Sequence, residues 1–406
     1  MGDSMDKERI IFHVDVNNAF LSWTAVKLLE EGYETDIRNI PSVIGGDETK
    51  RHGIVLAKSP IAKKMGIKTA ETLYSARGKC KNLLIFPPDF KFYKKKSNEL
   101  FSFLSTLTPD IEIFSIDECF LDLTNTNYLY KDYVSLAYKI KNEIYNKYGF
   151  SVNVGIGNNK LCAKMASDFE KPNKVHTLYL NEIERKMWPL DVGELFMVGR
   201  KTAEKLKRLG INTIGELANS DVSFLRKHFK NQAQFMWEYA NGIDTSPVVS
   251  SFSAYKCISV SQTFEEDVSD IERLKATLLT QSQNVGKRLR LQKMYANTIA
   301  ITMKTFDFKQ MSKQMKLNIP INSTNNIYEN AIKLLNEFWD GTKIRNIGIR
   351  LNNFTDKCCE QASLFEASCQ EDNMVNKILD EINDKFGNSS VLLAATFKDK
   401  KEDSNE

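Results

Sequence analysis

The 406 residues are too many for one ordinary hydrophobic core, and a composition 42% hydrophobic and 27% charged is that of a folded chain of several domains. No apolar run approaches the ~20 residues of a membrane span, and the charged start, MGDSMDKERIIFHVDV, lacks the apolar core of a secretory signal, so a cytoplasmic protein is expected. The net charge of +4 is unevenly placed: from Asp356 onward six Lys/Arg face twelve Asp/Glu, which leaves about +10 on the body. A basic body suits a polyanion such as nucleic acid, although a solvated surface reads the same way. The seven cysteines are scattered without a CxxC pair, which indicates neither a disulfide framework nor a zinc site.

In chain order, RIIFHVDV (9–16) is short, apolar and β-branched, and reads as a buried strand. A helix follows over 17–31, then a strand at GIVLA (53–57) and a basic helix ending near Gly66. Residues 92–107 form an amphipathic helix, and IEIFSIDECFLDL (111–123) two short strands meeting around Asp117 and Glu118. A helix over 133–148 precedes the buried strand SVNVGIG (151–157). After Lys171 come helical pieces punctuated by Gly199, Gly210 and Gly215, and then a polar, turn-rich linker at 241–252. Strands and helices alternate again over 254–354: AYKCISVSQTF, a helix at 271–292, ANTIAITMKTF, a helix at 326–339 and KIRNIGIRLNNF. The end is polar, with one helix over 372–386 and a charged tail.

Asp15 ends an otherwise apolar strand, and Asp117 and Glu118 interrupt a second apolar segment. Charges there are costly unless paired or bound to metal. Three carboxylates on adjacent strand ends are able to hold two magnesium ions for a phosphoryl transfer. Read singly, each has an equally good ordinary role: Asp15 as a helix cap, Asp117 and Glu118 in a solvated turn.

HVDVNNAF (13–20) and SIDECFLDLT (115–124) resemble the two metal-binding motifs of the Y-family polymerases, and VGIGNNKLCAKMASDFEKPN (154–173) resembles that family's third block. The resemblance implies an α+β right hand: a ferredoxin-like palm with small fingers, a helical thumb and a separate α+β little finger. The palm and fingers would span 1–182, with the fingers at about 17–78, and the thumb 183–242. A linker at 243–253, the little finger at 254–355 and an acidic tail at 356–406 would follow. It further implies a low-fidelity, template-directed DNA polymerase, a DinB/UmuC-like enzyme of bacterial type that copies past damaged bases. Asp15 and Asp117 would be shared ligands of two Mg²⁺ ions, Glu118 the third carboxylate, and the Val16 carbonyl a further ligand. Phe20 falls at the family's steric gate against the ribose 2′-hydroxyl. From the sequence alone Phe20 reads first as a core residue.

An incoming deoxynucleoside triphosphate needs cations and backbone donors. The resemblance assigns these to Lys63, Lys171 and the amides of Asn18, Ala19 and Phe20. The chain departs from the family at Pro60, which stands where a phosphate-binding tyrosine is common, and at Lys63, where an arginine is common. A proline has neither hydroxyl nor N–H to offer, and a lysine is a point charge without a guanidinium's fork. MVGRKTAEKLKRLGINTIGELA (197–218) looks like a helix–hairpin–helix, with Gly199, Lys201 and Lys205 facing phosphate; an ordinary helical hairpin is its plainer reading. Residues 254–354 carry fifteen Lys/Arg against nine Asp/Glu, and Arg288, Arg290, Arg345 and Arg350 lead the candidate contacts to primer–template DNA, with Lys293, Lys304, Lys309, Lys313 and Lys316 behind them. QASLF (361–365) resembles the peptide by which bacterial polymerases dock on the sliding clamp. Gln361 would hydrogen-bond, and Leu364 and Phe365 would anchor in an apolar cleft. A monomer associated with the nucleoid, away from membranes, is expected. GGDET (45–49) sits one residue from a diguanylate cyclase signature, but far in sequence from Asp117. A non-catalytic DNA-binding accessory protein would more naturally have lost one of the three carboxylates.

Overall fold

The computed structural model describes residues 8–47, 53–126, 128–130, 132–250 and 256–356, with Val375, 378–382 and 385–386. They divide between two compact units, residues 1–252 and 253–406.

The first unit begins with β1 (Ile11–Val16), α1 (Ala19–Glu30), β2 (Ser42–Gly45), β3 (Val55–Lys58), α2 (Pro60–Lys64), α3 (Leu73–Lys79) and β4 (Leu84–Phe86). It continues with α4 (Phe90–Leu104), β5 (Ile111–Ile113), β6 (Glu118–Asp122), α5 (Tyr133–Tyr148), β7 (Val152–Gly157), α6 (Lys160–Asp168) and β8 (Val175–Leu178). The palm sheet has the order β5-β6-β1-β7-β8. Strand alternation sends Phe12, Val14 and Val16 to one face, into a core with α4 and α5. Ile11 goes to the other face, against Phe120 and Ala163 of α6. His13 and Asp15 share that second face by the same alternation. Burial on both faces is why β1 and β7 read as continuous apolar runs.

The fingers are a smaller sheet, β3-β2-β4. Val43, Val55, Ala62, Ile67 and Leu73 fill its core. The sheet therefore runs to Phe86, beyond the expected end near residue 78, and α3 is a helix not anticipated from the sequence. The thumb packs α7 (Ile183–Lys186), α8 (Arg200–Arg208), α9 (Ile214–Ala218), α10 (Val222–Phe229) and α11 (Gln232–Ala240) around Leu206, Ile214, Leu217, Leu225 and Met236. The stretch expected to be a free linker is bound to the palm over its first residues. The Asn159 amide donates to Gly242 O (2.8 Å), Asp244 accepts from Leu161 N (3.1 Å), Arg9 donates to Ser246 O (3.2 Å), and Val249 N donates to Glu112 (2.9 Å). Polar residues that read as a loop are here the hydrogen-bonding partners of an extended segment.

The second unit contains β9 (Cys257–Val268), α12 (Ile271–Leu291), β10 (Tyr295–Thr305), β11 (Gln310–Ile321), α13 (Thr324–Phe338) and β12 (Ile344–Thr355). Its antiparallel sheet runs β11-β10-β12-β9, and α12 and α13 cover the face bearing Ile299, Ile301, Ile347, Ile349 and Leu351. β11 was invisible in the sequence because QMSKQMKLNIPI is largely polar. It is an edge strand, where lysines and a proline are tolerated and discourage further pairing.

Candidate active site

Asp15 and Glu118 face each other across the β1–β6 ladder, and Val16 N donates to the Asp117 carbonyl (3.0 Å). Asp15 and Glu118 of the sequence reading thus lie side by side on paired strands, with Asp117 one residue before the start of β6. None of them is bare. Lys164 Nζ lies 2.7 Å from Glu118 Oε2, 3.9 Å from Asp15 Oδ2 and 3.4 Å from Asp168 Oδ2. Lys171 Nζ pairs with Asp15 and, at 2.8 Å, with Asp168. Ser115 Oγ donates to Asp117 Oδ1 at 2.5 Å. His13, fully buried, places Nδ1 2.8 Å from Ser167 Oγ and Nε2 3.2 Å from Glu118 Oε2, the latter without hydrogen-bond alignment.

The electrostatics follow from these contacts. Burial works to raise the Glu118 carboxyl, but His13 and the Lys164 ammonium outweigh it and bring it down to about 2. Burial pushes Asp117 up, the Ser115 hydroxyl opposes it, and the charges of Asp15 and Glu118 add to the rise. Burial lowers Lys164 and Lys171, yet Asp15 first and then Glu118 or Asp168 leave both above the ordinary lysine value.

Among the described residues, no group of three or more His, Cys, Asp or Glu side chains is gathered closely enough to hold a metal ion. The donor set nevertheless fits a hard divalent cation. All three side chains offer oxygen, and the upward push on Asp117 from its neighbours is the mutual repulsion that a cation relieves.

Asn17, in the sequence a departure from the family pattern and not a candidate site residue, joins three segments beside the carboxylates. Its amide donates to Asn153 Oδ1 (3.0 Å), while its own carbonyl accepts from Ser151 Oγ (3.0 Å) and Asn173 N (2.8 Å). This network fixes the loop that carries Lys171. Asn18 stands at φ 51°, in the left-handed region that asparagine tolerates, and its Nδ2 donates to Lys58 O (2.6 Å), tying α1 to the fingers. Ala19 is buried in the palm core. The first amides of α1 have no intrahelical acceptor, so the amides at Asn18, Ala19 and Phe20 are suited to an anion. Phe20 is half-buried and stacked on Tyr93, with centroids 4.8 Å apart and planes at 10°. Lys63 is exposed on α2, whose first turn holds Pro60 and is capped by Ser59. Lys58, missed in the sequence, is lowered by burial and by the nearby charge of Lys63.

In the thumb, Gly199 caps α8 and Lys201 is exposed beside it. Lys205 bonds His228 O and lies 4.7 Å over Phe229, so it serves packing first. In the second unit, Arg350, Lys304 and Lys316 share the sheet face opposite the helices, by the register that pairs Ala300 with Arg350 and Thr298 with Lys316. Arg345 lies 4.5 Å over Phe308, and Arg288 donates to Ser259 O (3.4 Å). Arg290 is otherwise engaged: it forks onto Asp380 (2.8 and 3.0 Å) and Asn322 O (2.8 Å). Lys313 pairs with Glu337 (3.1 Å). Gln361, Leu364 and Phe365 lie outside the described residues. Gly45 of GGDET sits on β2 of the fingers, a different sheet from that of Glu118. No helix of the described residues is long and apolar enough to cross a membrane.

The impB/mucB/samB family model matches residues 14–168, its C-terminal domain 255–364, and its helix–hairpin–helix motif 181–211. A DNA polymerase IV of Clostridium acetobutylicum is 47% identical over 97% of this chain and 99% of its own length. A DNA polymerase IV 2 of Bacillus subtilis is 33% identical over 97% of this chain and 96% of its own. A solved Y-family DNA polymerase chimera, 24% identical, superposes with a TM-score of 0.74 over 86% of this chain and all of its own, and shows the same fold. The chain belongs to the impB/mucB/samB family, the Y-family of DNA polymerases. It is by that membership a DNA-directed DNA polymerase of the translesion class, and the family works with divalent metal ions.

Proposed function

We propose that this polymerase extends a DNA primer past damaged template bases, by phosphoryl transfer at two Mg²⁺ ions held by Asp15, Asp117, Glu118 and the Val16 carbonyl. What supports it is the pairing of Asp15 with Glu118 across adjacent strands, next to Asp117 in the chain, with the ammonium groups of Lys164 and Lys171 balancing Asp15 and Glu118. Two such ions, when bound, ease loss of the primer hydroxyl proton and stabilise the leaving pyrophosphate. The residues do the rest. Glu118, held almost permanently ionised by Lys164 and His13, lies ready near the primer end. Lys171 exchanges Asp15 for the triphosphate, joined by Lys63 and the first amides of α1. Phe20, backed by Tyr93, closes the space of a ribose 2′-hydroxyl. The thumb's Gly199 and Lys201 and the little finger's Arg350, Arg345, Arg288, Lys304 and Lys316 hold the duplex backbone without reading bases. A monomer is proposed, working at the nucleoid and tethered to the sliding clamp by QASLF.

Asp117→Asn, nearly isosteric with the native side chain, should abolish magnesium-dependent extension of a primed template while its DNA affinity in gel-shift assays stays within about threefold. Extension at the wild-type rate by this variant would remove Asp117 from the metal site.

A further inference from the structure

Lys164 has no assigned part in the chemistry, yet it is the most connected charge in the site. Its ammonium reaches Glu118 at 2.7 Å, Asp168 at 3.4 Å and Asp15 at 3.9 Å, and its side chain is only 12% exposed. Between its charged ends, Lys160 and Asp168, the rest of α6 is buried: Leu161, Cys162, Ala163, Met165, Ala166 and Ser167. A lysine in such a helix costs free energy unless its charge is answered. Three carboxylates, those of Asp15, Glu118 and Asp168, surround the two ammonium groups of Lys164 and Lys171. The cluster therefore keeps an excess of negative charge with both lysines in place.

The two lysines are not equivalent. Lys171 is 37% exposed and sits on the loop after α6, free to turn towards a triphosphate. Lys164 is on the helix itself, and α6 is pressed onto β7 at Gly155, where an added Cβ would stand 2.0 Å from Ala163 O. Its backbone has nowhere to retreat.

We propose that Lys164 is the resident countercharge of the catalytic carboxylates: it positions Glu118 and Asp15 in the metal-free protein and sets how tightly the site takes up a divalent ion. This rests on Asp15, Asp117 and Glu118 being the metal ligands. Each ion that enters meets a fixed positive charge sharing its ligands, so the lysine keeps metal affinity low while holding the ligands in place. Lys164 touches no reacting atom in this role; it acts through the carboxylates.

The test compares the full chain with Lys164→Gln and Lys164→Arg, without DNA or nucleotide. Mn²⁺ uptake is followed by the loss of the free-ion EPR signal, and thermal unfolding is recorded in EDTA and in saturating Mg²⁺. Lys164→Gln should bind Mn²⁺ roughly tenfold more tightly, the scale expected when a unit charge a few ångströms away is removed. It should melt below the wild type in EDTA and recover most of the deficit in Mg²⁺. Lys164→Arg should track the wild type in both assays. If Lys164→Gln is unfolded in EDTA, metal should restore its fold, and a variant that no metal concentration rescues would overturn the proposal. So would an unchanged Mn²⁺ affinity, or a melting deficit identical with and without metal, since a purely structural lysine would give these. A wild type that takes up no more Mn²⁺ than Asp117→Ala would instead overturn the metal-site reading beneath it.

Discussion

Phe20 lies face to face with Tyr93 and edge-on to Phe90 at 5.9 Å, and Tyr93 in turn is fully buried with its hydroxyl 2.7 Å from Thr24 Oγ1. A ring backed in this way is a stiff wall, which is what exclusion of a 2′-hydroxyl requires. The same contacts are those of a core residue, and the sequence alone favoured that role. Phe20→Ala separates the two: it should raise ribonucleotide incorporation by at least about tenfold relative to deoxynucleotides, a discrimination of the size of one lost steric contact. Phe20→Leu, which keeps most of the volume, should stay close to wild type. Equal sugar selectivity in a folded Phe20→Ala would leave the ring a packing role only. Asp15, Asp117 and Glu118 stood out in the sequence as charges in apolar strands, and the motif resemblance was what made them metal-ligand candidates. Their partners His13 and Lys164 did not stand out, since an isolated histidine or lysine carries no such signal until a neighbour is seen. The clue for Lys164 was a cation flanked on both sides by buried residues of the same helix, Leu161 to Ala163 and Met165 to Ser167.

At the scale of elements, the site depends on how closely α6 lies on β7. Gly155 and Gly157 make that approach: a Cβ at Gly155 would meet Ala163 O at 2.0 Å and Ser167 N at 2.4 Å, and one at Gly157 would meet Ala163 N at 2.7 Å. These are backbone atoms that cannot swing aside. Gly155→Ala should therefore push the helix off the sheet, costing about 1–3 kcal/mol in overpacking and lowering the melting temperature by several degrees. Primer extension should fall further than stability alone explains, because Lys164 and Ser167 move away from Glu118 and His13. An unchanged melting temperature, read by calorimetry, would contradict the packing argument. VGIG reads in the sequence as a strand, and that strand is present as β7. That its glycines serve the helix that follows them is a contact between elements, which periodicity does not encode. The same limit hid β2, β4 and β8, short strands of three or four residues whose pairing partners define them.

At the scale of the whole molecule, the tail from Asp356 is acidic and repelled by the DNA that the basic body attracts. QASLF within it must serve a partner other than DNA if it serves one. A short peptide in a small apolar cleft binds weakly alone, and tethering to the same DNA supplies the remaining effective concentration. Alanine at Gln361, Leu364 and Phe365 together should leave distributive synthesis on a short primed template unchanged. The same triple variant should lose the stimulation that a loaded bacterial clamp gives the wild type. Stimulation that survives would place the clamp contact on another surface.

Division into a palm-bearing unit and a second unit was legible from the turn-rich stretch at 241–252. The structure ties the start of that stretch to the first unit: Gly242, Asp244, Ser246 and Val249 are hydrogen-bonded to the palm, and the first unit ends at Phe252. By itself the sequence determined the longer buried strands, the long helices and the family, because apolar periodicity and motif spacing are properties of the chain read in one dimension. Tertiary structure alone decided that Lys164 and Lys171 answer the carboxylate charge, that Asn17 ties β7 to the Lys171 loop, and that Arg290 is spent on Asp380. These are pairings between residues tens to more than a hundred positions apart, and only the folded chain brings such groups within the few ångströms over which charge and hydrogen bonding act.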